Sequence, residues 1–195
     1  ANKIVDNMFK NPEKMSDPKN KYFGMSKQDI ILMWDKNGKD ASEKGTKMHN
    51  NIELYYNKIN HDDQSIEYGF FKKFTLDFSD LKAFRTEWCV YDEDLKICGS
   101  IDMIYENPDG SLQIYDWKRV KEISYEPFGN KSSIIEGLGN IPDTNFWHYS
   151  IQLNIYRYLL EKNYGKIVSD LYLVIMHPLE AFHRRQWRSN SVSSH

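Results

Sequence analysis

Three apolar-rich runs separated by two short turns, between Phe84 and Lys118, limit the folds open to this chain more than any other feature. Residues 84–91, 96–106 and 111–118 are rich in β-branched and aromatic side chains and have strand-like lengths. Asp92-Glu93-Asp94 supplies the first turn and Asn107-Pro108-Asp109-Gly110 the second. Gly110 suits the left-handed position of a three-residue hairpin loop. The pattern predicts an antiparallel three-strand meander.

The flanks complete the layout. Residues 1–25 are polar, interrupted by Pro12 and Pro18, and read as an irregular lead-in. Ser26 is the expected N-cap of a short helix through Trp34, with Asp29 at the positive end of the helix dipole and Asn37-Gly38 as its stop. A second helix is expected over 42–60, burying Met48, Ile52, Tyr55, Tyr56 and Ile59. The aromatic stretch 68–78 shows no clear period. Residues 122–143 form a long Gly-, Asn- and Ser-rich loop, the kind compact domains keep for function. A helix over 145–162 ends at Asn163-Tyr164-Gly165, and a last strand over 170–176 stops at His177-Pro178. The expectation is an α/β domain over residues 26–180, built on one mixed sheet flanked by helices, with a polar tail over 181–195.

Composition narrows the function classes. The 195 residues carry a formal charge of -2, so a nucleic-acid site must be a local basic patch on a near-neutral surface. The only two cysteines, Cys89 and Cys98, have no disulfide-framework spacing and cannot build a four-cysteine iron–sulfur cluster. They read as reduced thiols of an intracellular protein. No apolar run approaches the roughly 20 residues of a membrane helix, and the first residues lack the apolar core of a secretory signal. A soluble, non-secreted protein is expected, in cytoplasm or nucleus.

The chemistry concentrates in Gly99-Ser100-Ile101-Asp102 and Ile114-Tyr115-Asp116-Trp117-Lys118. Side chains i and i+2 share a strand face, so Asp116 and Lys118 project together. If Asn107 and Ser111 close the loop, Ile104 faces Ile114 and Asp102 faces Asp116. Opposed carboxylates at such spacing repel, and a divalent cation between them reverses the sign. Lys118 can approach a phosphate or the attacking water. The Trp117 side chain points away, but its carbonyl can add an oxygen, and hard oxygens suit Mg²⁺ or Mn²⁺. Taken alone, either carboxylate fits a solvent-facing sheet position equally well.

A turn centred between Glu93 and Asp94 places Cys89 opposite Cys98 and Glu87 opposite Ser100, on the Asp102 face. Glu87 is then a candidate outer carboxylate. Gln152 and Tyr156, at i and i+4, share a helix face and can bind phosphate or orient Lys118. His49 lies beside the apolar stripe of its helix, where a neutral imidazole can complete a metal shell. Seen singly, the Gln152–Tyr156 pair fits a polar helix edge with a half-buried Tyr better, and a lone helical His is more often packed or solvated.

The ordered set His49, Glu87, Gly99-x-x-Asp102, Asp116-x-Lys118 and Gln152-x-x-x-Tyr156 resembles the PD-(D/E)XK nuclease superfamily, in particular its RecB-like and lambda-exonuclease-like branch, over roughly residues 42–176. Asp-x-Lys alone is a weak motif; the ordered set is far more specific. The resemblance implies a restriction-endonuclease-like αβββαβ core with catalytic Asp102, Asp116 and Lys118. It also implies Mg²⁺ or Mn²⁺ on Asp102, Asp116 and His49, and a supporting, DNA-contacting role for Gln152 and Tyr156. Arg119 and Arg157 are added as phosphate contacts, and Trp147 and Tyr149, with Phe146, as surfaces for unpaired bases. Those aromatics fit a core-facing helix side as well.

The expected activity is phosphodiester hydrolysis, by an exonuclease on DNA ends or single strands. An endonuclease on the same fold and a non-catalytic nucleic-acid-binding module stay open. No Walker-type phosphate loop occurs, so a helicase motor would belong to a partner or a larger parent protein. No Gly-x-Ser-x-Gly supports a small-molecule hydrolase.

Overall fold

The computed structural model describes residues 2–127, 129, 131–178 and 183–187. The chain divides into two compact units, Ala1–Lys47 and Met48–His195.

In the first unit, the expected irregular lead-in instead carries two short helices, α1 (Asn2–Met8) and α2 (Pro12–Ser16). The Asn11 side chain accepts the Lys14 amide, and Pro12 occupies the first turn, where its missing N–H costs nothing. Helix α3 begins here and runs unbroken over Lys27–Tyr56, its residues from Met48 on belonging to the second unit, and replaces the two helices expected over 28–34 and 42–60. A glycine inside a helix costs only about 1 kcal/mol relative to alanine, so Gly38 weakens the ladder without ending it. Ser26 caps as expected: its Oγ accepts the Asp29 amide at 3.1 Å while the Asp29 carboxylate accepts the Ser26 N–H at 3.0 Å.

In the second unit, the aromatic stretch forms α4 (Ile66–Asp77), capped by Ser65. A five-stranded sheet follows in spatial order β1-β2-β3-β4-β5. Strands β1 (Lys82–Asp92), β2 (Ile97–Glu106) and β3 (Leu112–Lys118) are the antiparallel meander. Helix α5 (Asn145–Tyr164) crosses to β4 (Val168–Ile175), which pairs parallel to β3. Gly165 ends α5 in the left-handed conformation. The sheet is mixed and helix-flanked, as the α/β reading and a restriction-endonuclease-like core require. Part of the expected polar tail is strand β5 (His183–Trp187), antiparallel to β4. The free edge of β4 offers backbone groups that an extended segment satisfies whatever its side chains. Residues 188–195 lie outside the described set.

The sheet has two apolar sides. Met103, Tyr105, Tyr115, Trp117 and Val174 pack with Met48 and Ile52 of α3 and Tyr68, Phe71 and Phe74 of α4. Trp88, Val90, Ile101, Ile104, Leu112 and Ile114 pack with Leu153, Tyr156, Leu159 and Leu160 of α5. Ile101 and Ile104 are three apart yet share a side, so strict alternation breaks between them. It breaks on β1 too. Trp88 lies on the α5 side, whereas Thr86 pairs with Met103 of the α3–α4 side, and Glu87 between them has φ 46°.

The second hairpin closes as expected, with Ile104 opposite Ile114 and Gly110 at φ 83°. The first does not. Asp92 pairs with Ile97 around a four-residue loop, where the Asp92 side chain accepts the Leu95 amide at 2.9 Å and Lys96 has φ 55°. Cys89 therefore sits opposite Ser100 and Cys98 opposite Tyr91, correcting the expected Cys89–Cys98 pair. The register moves by two residues, an even step that does not itself exchange the faces; the change of face on β1 comes from the irregularity at Glu87. Both cysteines are free.

Candidate active site

Glu87 and Asp102 lie between the Thr86–Met103 and Trp88–Ile101 pairs, on the rung where both strands break alternation. The break turns Asp102 toward α3. Its Oδ2 lies 3.6 Å from His49 Nδ1, and Glu87 Oε1 lies 3.8 Å from the same nitrogen. One ligating atom from each of His49, Glu87 and Asp102 lies within 4.8 Å of the others. Ser100 Oγ donates to Glu87 Oε2 at 2.9 Å, and Thr86 Oγ1 donates to the Asp102 carbonyl at 2.9 Å.

The β2–β3 ladder reaches Met103–Tyr115, one pair short of the expected Asp102–Asp116 pair. The Asp102 carboxylate instead accepts the Trp117 backbone N–H at 2.8 Å. Asp116 is buried, and Lys118 Nζ lies 2.9 Å from its Oδ1 and 2.8 Å from its Oδ2. Despite that proximity, Oδ2 accepts no well-directed hydrogen bond. Lys118 Nζ also stands over the Tyr149 ring, 5.2 Å from its centroid.

Burial, followed by the charge of Asp116, pushes the Asp102 carboxyl up to about 7. Burial likewise raises Asp116 against the pull of Lys118. Burial lowers the His49 imidazole, but its contact with Glu87 and the charge of Asp102 outweigh that and raise it. Glu87 is lowered, first by His49. For Lys118, burial is overcome by Asp116 and Asp102, and the ammonium is held charged. Buried carboxylates resisting ionisation, with one oxygen lacking a directed donor, fit a hard divalent cation. The donor atoms of His49, Glu87 and Asp102 lie close enough together to share one.

Helix α5 supplies the next layer. Gln152 Nε2 donates to the Tyr156 hydroxyl at 3.0 Å, as their spacing predicts. Tyr156 lies against Gly99, where an added Cβ would be 2.6 Å from its Cε1 and 2.9 Å from its hydroxyl. The room left by the Gly99-Ser100 pair is thus filled by this tyrosine. Burial raises the Tyr156 hydroxyl, with Asp102 and Asp116 adding to the effect, so the ring shares the field of both acids.

Other expected residues lie elsewhere. The Trp117 side chain is buried on the α3–α4 side, pointing away as predicted. Arg119 Nε donates to Glu67 Oε1 at 2.6 Å with both side chains largely buried, so its guanidinium is engaged within the fold. Arg157 bonds Glu161 along α5 at 3.0 Å. Trp147 and Phe146 are half-buried and pack edge to face at 5.5 Å, with Phe146 also against Tyr125 at 4.3 Å. The pairing of Glu67 with Arg119 had no sequence signal, because 52 residues separate the two. Thr86 and its bond to Asp102 were also missed.

No family model matches the chain, and no curated protein does. Among solved structures, a crystal structure from Eubacterium rectale named "Putative exonuclease" is similar at 12% identity and a TM-score of 0.33. The match covers 71% of this chain and 65% of that one, so this chain spans under two thirds of that neighbour's length. Among the described residues, no helix is long and apolar enough to cross a membrane.

Proposed function

We propose that this chain is a metal-dependent deoxyribonuclease of the PD-(D/E)XK type, similar to the RecB-like branch. One observation carries the reading: a His49–Glu87–Asp102 donor cluster stands on the rung beside a buried Asp116 bonded to Lys118. An ordinary exposed sheet face would not bury two carboxylates on adjoining strands.

His49, Glu87, Asp102, Asp116 and the Trp117 carbonyl would hold Mg²⁺ or Mn²⁺. Such a cation polarises a phosphoryl oxygen and lowers the pKa of water. Water attacks phosphorus, the P–O3′ bond breaks, and the products are a 5′-phosphate and a 3′-hydroxyl. Lys118 brings fixed positive charge to where negative charge grows. Asp102 draws the Trp117 amide to itself, which fixes the strand segment that carries Asp116 and Lys118. Gln152 and Tyr156, bonded to each other, orient the substrate strand.

Half-buried Phe146 and Trp147, and the loop joining β3 to α5, favour an exonuclease on ends or single strands. End-labelled linear DNA and closed circular DNA, each with Mg²⁺, Mn²⁺ or chelator, test this. Loss of label from linear DNA alone, abolished by chelator, is expected. Cutting of circles assigns an endonuclease, and no cutting under any metal removes the nuclease reading.

A further inference from the structure

Tyr149, Gln152 and Tyr156 stand at i, i+3 and i+7 of α5 and form one stripe of its surface. Gln152 and Tyr156 belong to the motif set that the resemblance supplies; Tyr149, one turn earlier, does not. A role in stacking bases was expected for it, yet one face of its ring is already covered by the Lys118 ammonium, 5.2 Å from the centroid. That distance lies inside the roughly 6 Å over which a cation is attracted to an aromatic face. The Lys118 side chain is only 19% exposed, so water screens the contact little.

We infer that Tyr149 is a positioning residue: its ring is a second seat for the Lys118 ammonium and, together with Asp116, fixes the path of that side chain. A lysine charge rides on four rotatable bonds, so a carboxylate at its tip leaves the stem free to wander. The aromatic face removes that freedom and contributes no negative charge that would cancel the ammonium. The ring rather than the hydroxyl does the holding, so phenylalanine should serve where leucine fails. The catalytic half of this inference rests on the nuclease reading, whereas the mechanical half stands on the contact alone.

Both halves are testable with Tyr149→Leu and Tyr149→Phe. Carbon-13 relaxation of the Lys118 Cε methylene, assigned by its disappearance in Lys118→Arg, reports the order of the side chain without any reaction. The Leu variant should lower that order and the Phe variant should keep it. With Mg²⁺ and DNA, Tyr149→Leu should reduce kcat about tenfold at little changed KM, and Tyr149→Phe should recover most of the loss. Unchanged Lys118 order in the Leu variant overturns the inference, as does a Phe variant as impaired as the Leu one. A raised KM at unchanged kcat also overturns it, and assigns the ring to the substrate's bases. If the wild-type chain cleaves no DNA, the nuclease reading falls, while the relaxation comparison still decides whether Tyr149 seats Lys118.

Discussion

The Asp102 carboxylate accepts the Trp117 backbone N–H at 2.8 Å, so a side chain of β2 takes the place of a backbone rung at the open end of the sheet. One oxygen of this acid is thereby committed to β3, next to both Asp116 and Lys118. The same Oδ2 also faces His49, which couples the geometry of α3, β2 and β3 at one atom.

Removing the charge at Asp116 or Lys118 should remove nearly all cleavage and spare the fold. Asp116→Ala and Lys118→Ala are expected to lose on the order of 10²–10³ in kcat, the scale of deleting one preorganised electrostatic group. Single-turnover cleavage with circular dichroism as a folding control measures this. Activity within a few-fold of wild type in either variant removes that residue from catalysis.

Stability in chelator should fall as pH rises from about 4 to 8. The Asp102 carboxyl titrates at about 7 in the fold, against an ordinary value near 4 in the unfolded chain. Its folded form therefore holds the proton more tightly, and ionisation on the way up through 7 works against folding. The raised His49 acts in the same direction, since its proton stabilises the fold at low pH and is lost at high pH. Asp102→Asn keeps an acceptor for the Trp117 amide and should melt above wild type at pH 8 but not at pH 4. Mn²⁺ should raise the wild-type Tm more at pH 8 than at pH 5. Identical pH slopes for wild type and variant would contradict this account.

Gly99→Ala should damage the site from outside it. The new Cβ would stand 2.6 Å from a buried Tyr156 ring, and overpacking of this kind costs about 1–3 kcal/mol. Urea unfolding should show the loss, and kcat should drop as the Gln152–Tyr156 bond is displaced. Gly99→Ala combined with Tyr156→Leu should recover the stability without the activity.

The Glu67–Arg119 pair should behave as a buried ion pair. Removing one partner, as in Glu67→Ala, strands a charge and is expected to cost about 3–5 kcal/mol. Replacing both with Leu and Met should lie much nearer wild type in urea unfolding. If Arg119 instead serves DNA, Arg119→Met should flatten the salt dependence of DNA binding while barely changing stability.

Much of this was legible in the sequence because its causes are local. Asn107-Pro108-Asp109-Gly110 set the second hairpin register through its own turn chemistry, and that register led to Asp102 and Asp116. Gln152 and Tyr156 met because a helix brings i and i+4 together. What stayed hidden depends on partners distant in the chain or on small energies. Asn37-Gly38 looked like a helix stop, yet an interior glycine is too cheap to stop α3. The period of the aromatic stretch at 68–78 was blurred because apolar Ile66 and Leu76 are exposed, off the buried stripe of Tyr68, Phe71 and Phe74. The first hairpin slipped by two because the Asp92 side chain recruits Leu95 and Lys96 into the loop.

The crossover of facing between Ile101 and Ile104 sets a limit on transplanting this chemistry. On a regular ribbon, His49 and the Tyr149–Gln152–Tyr156 stripe would address opposite surfaces of a slab, and no single acid could answer to both. Here one irregular step in β2 places a carboxylate in the seam between the helical layers. A designer who copied the side chains but straightened the strand would inherit the parts without the meeting point.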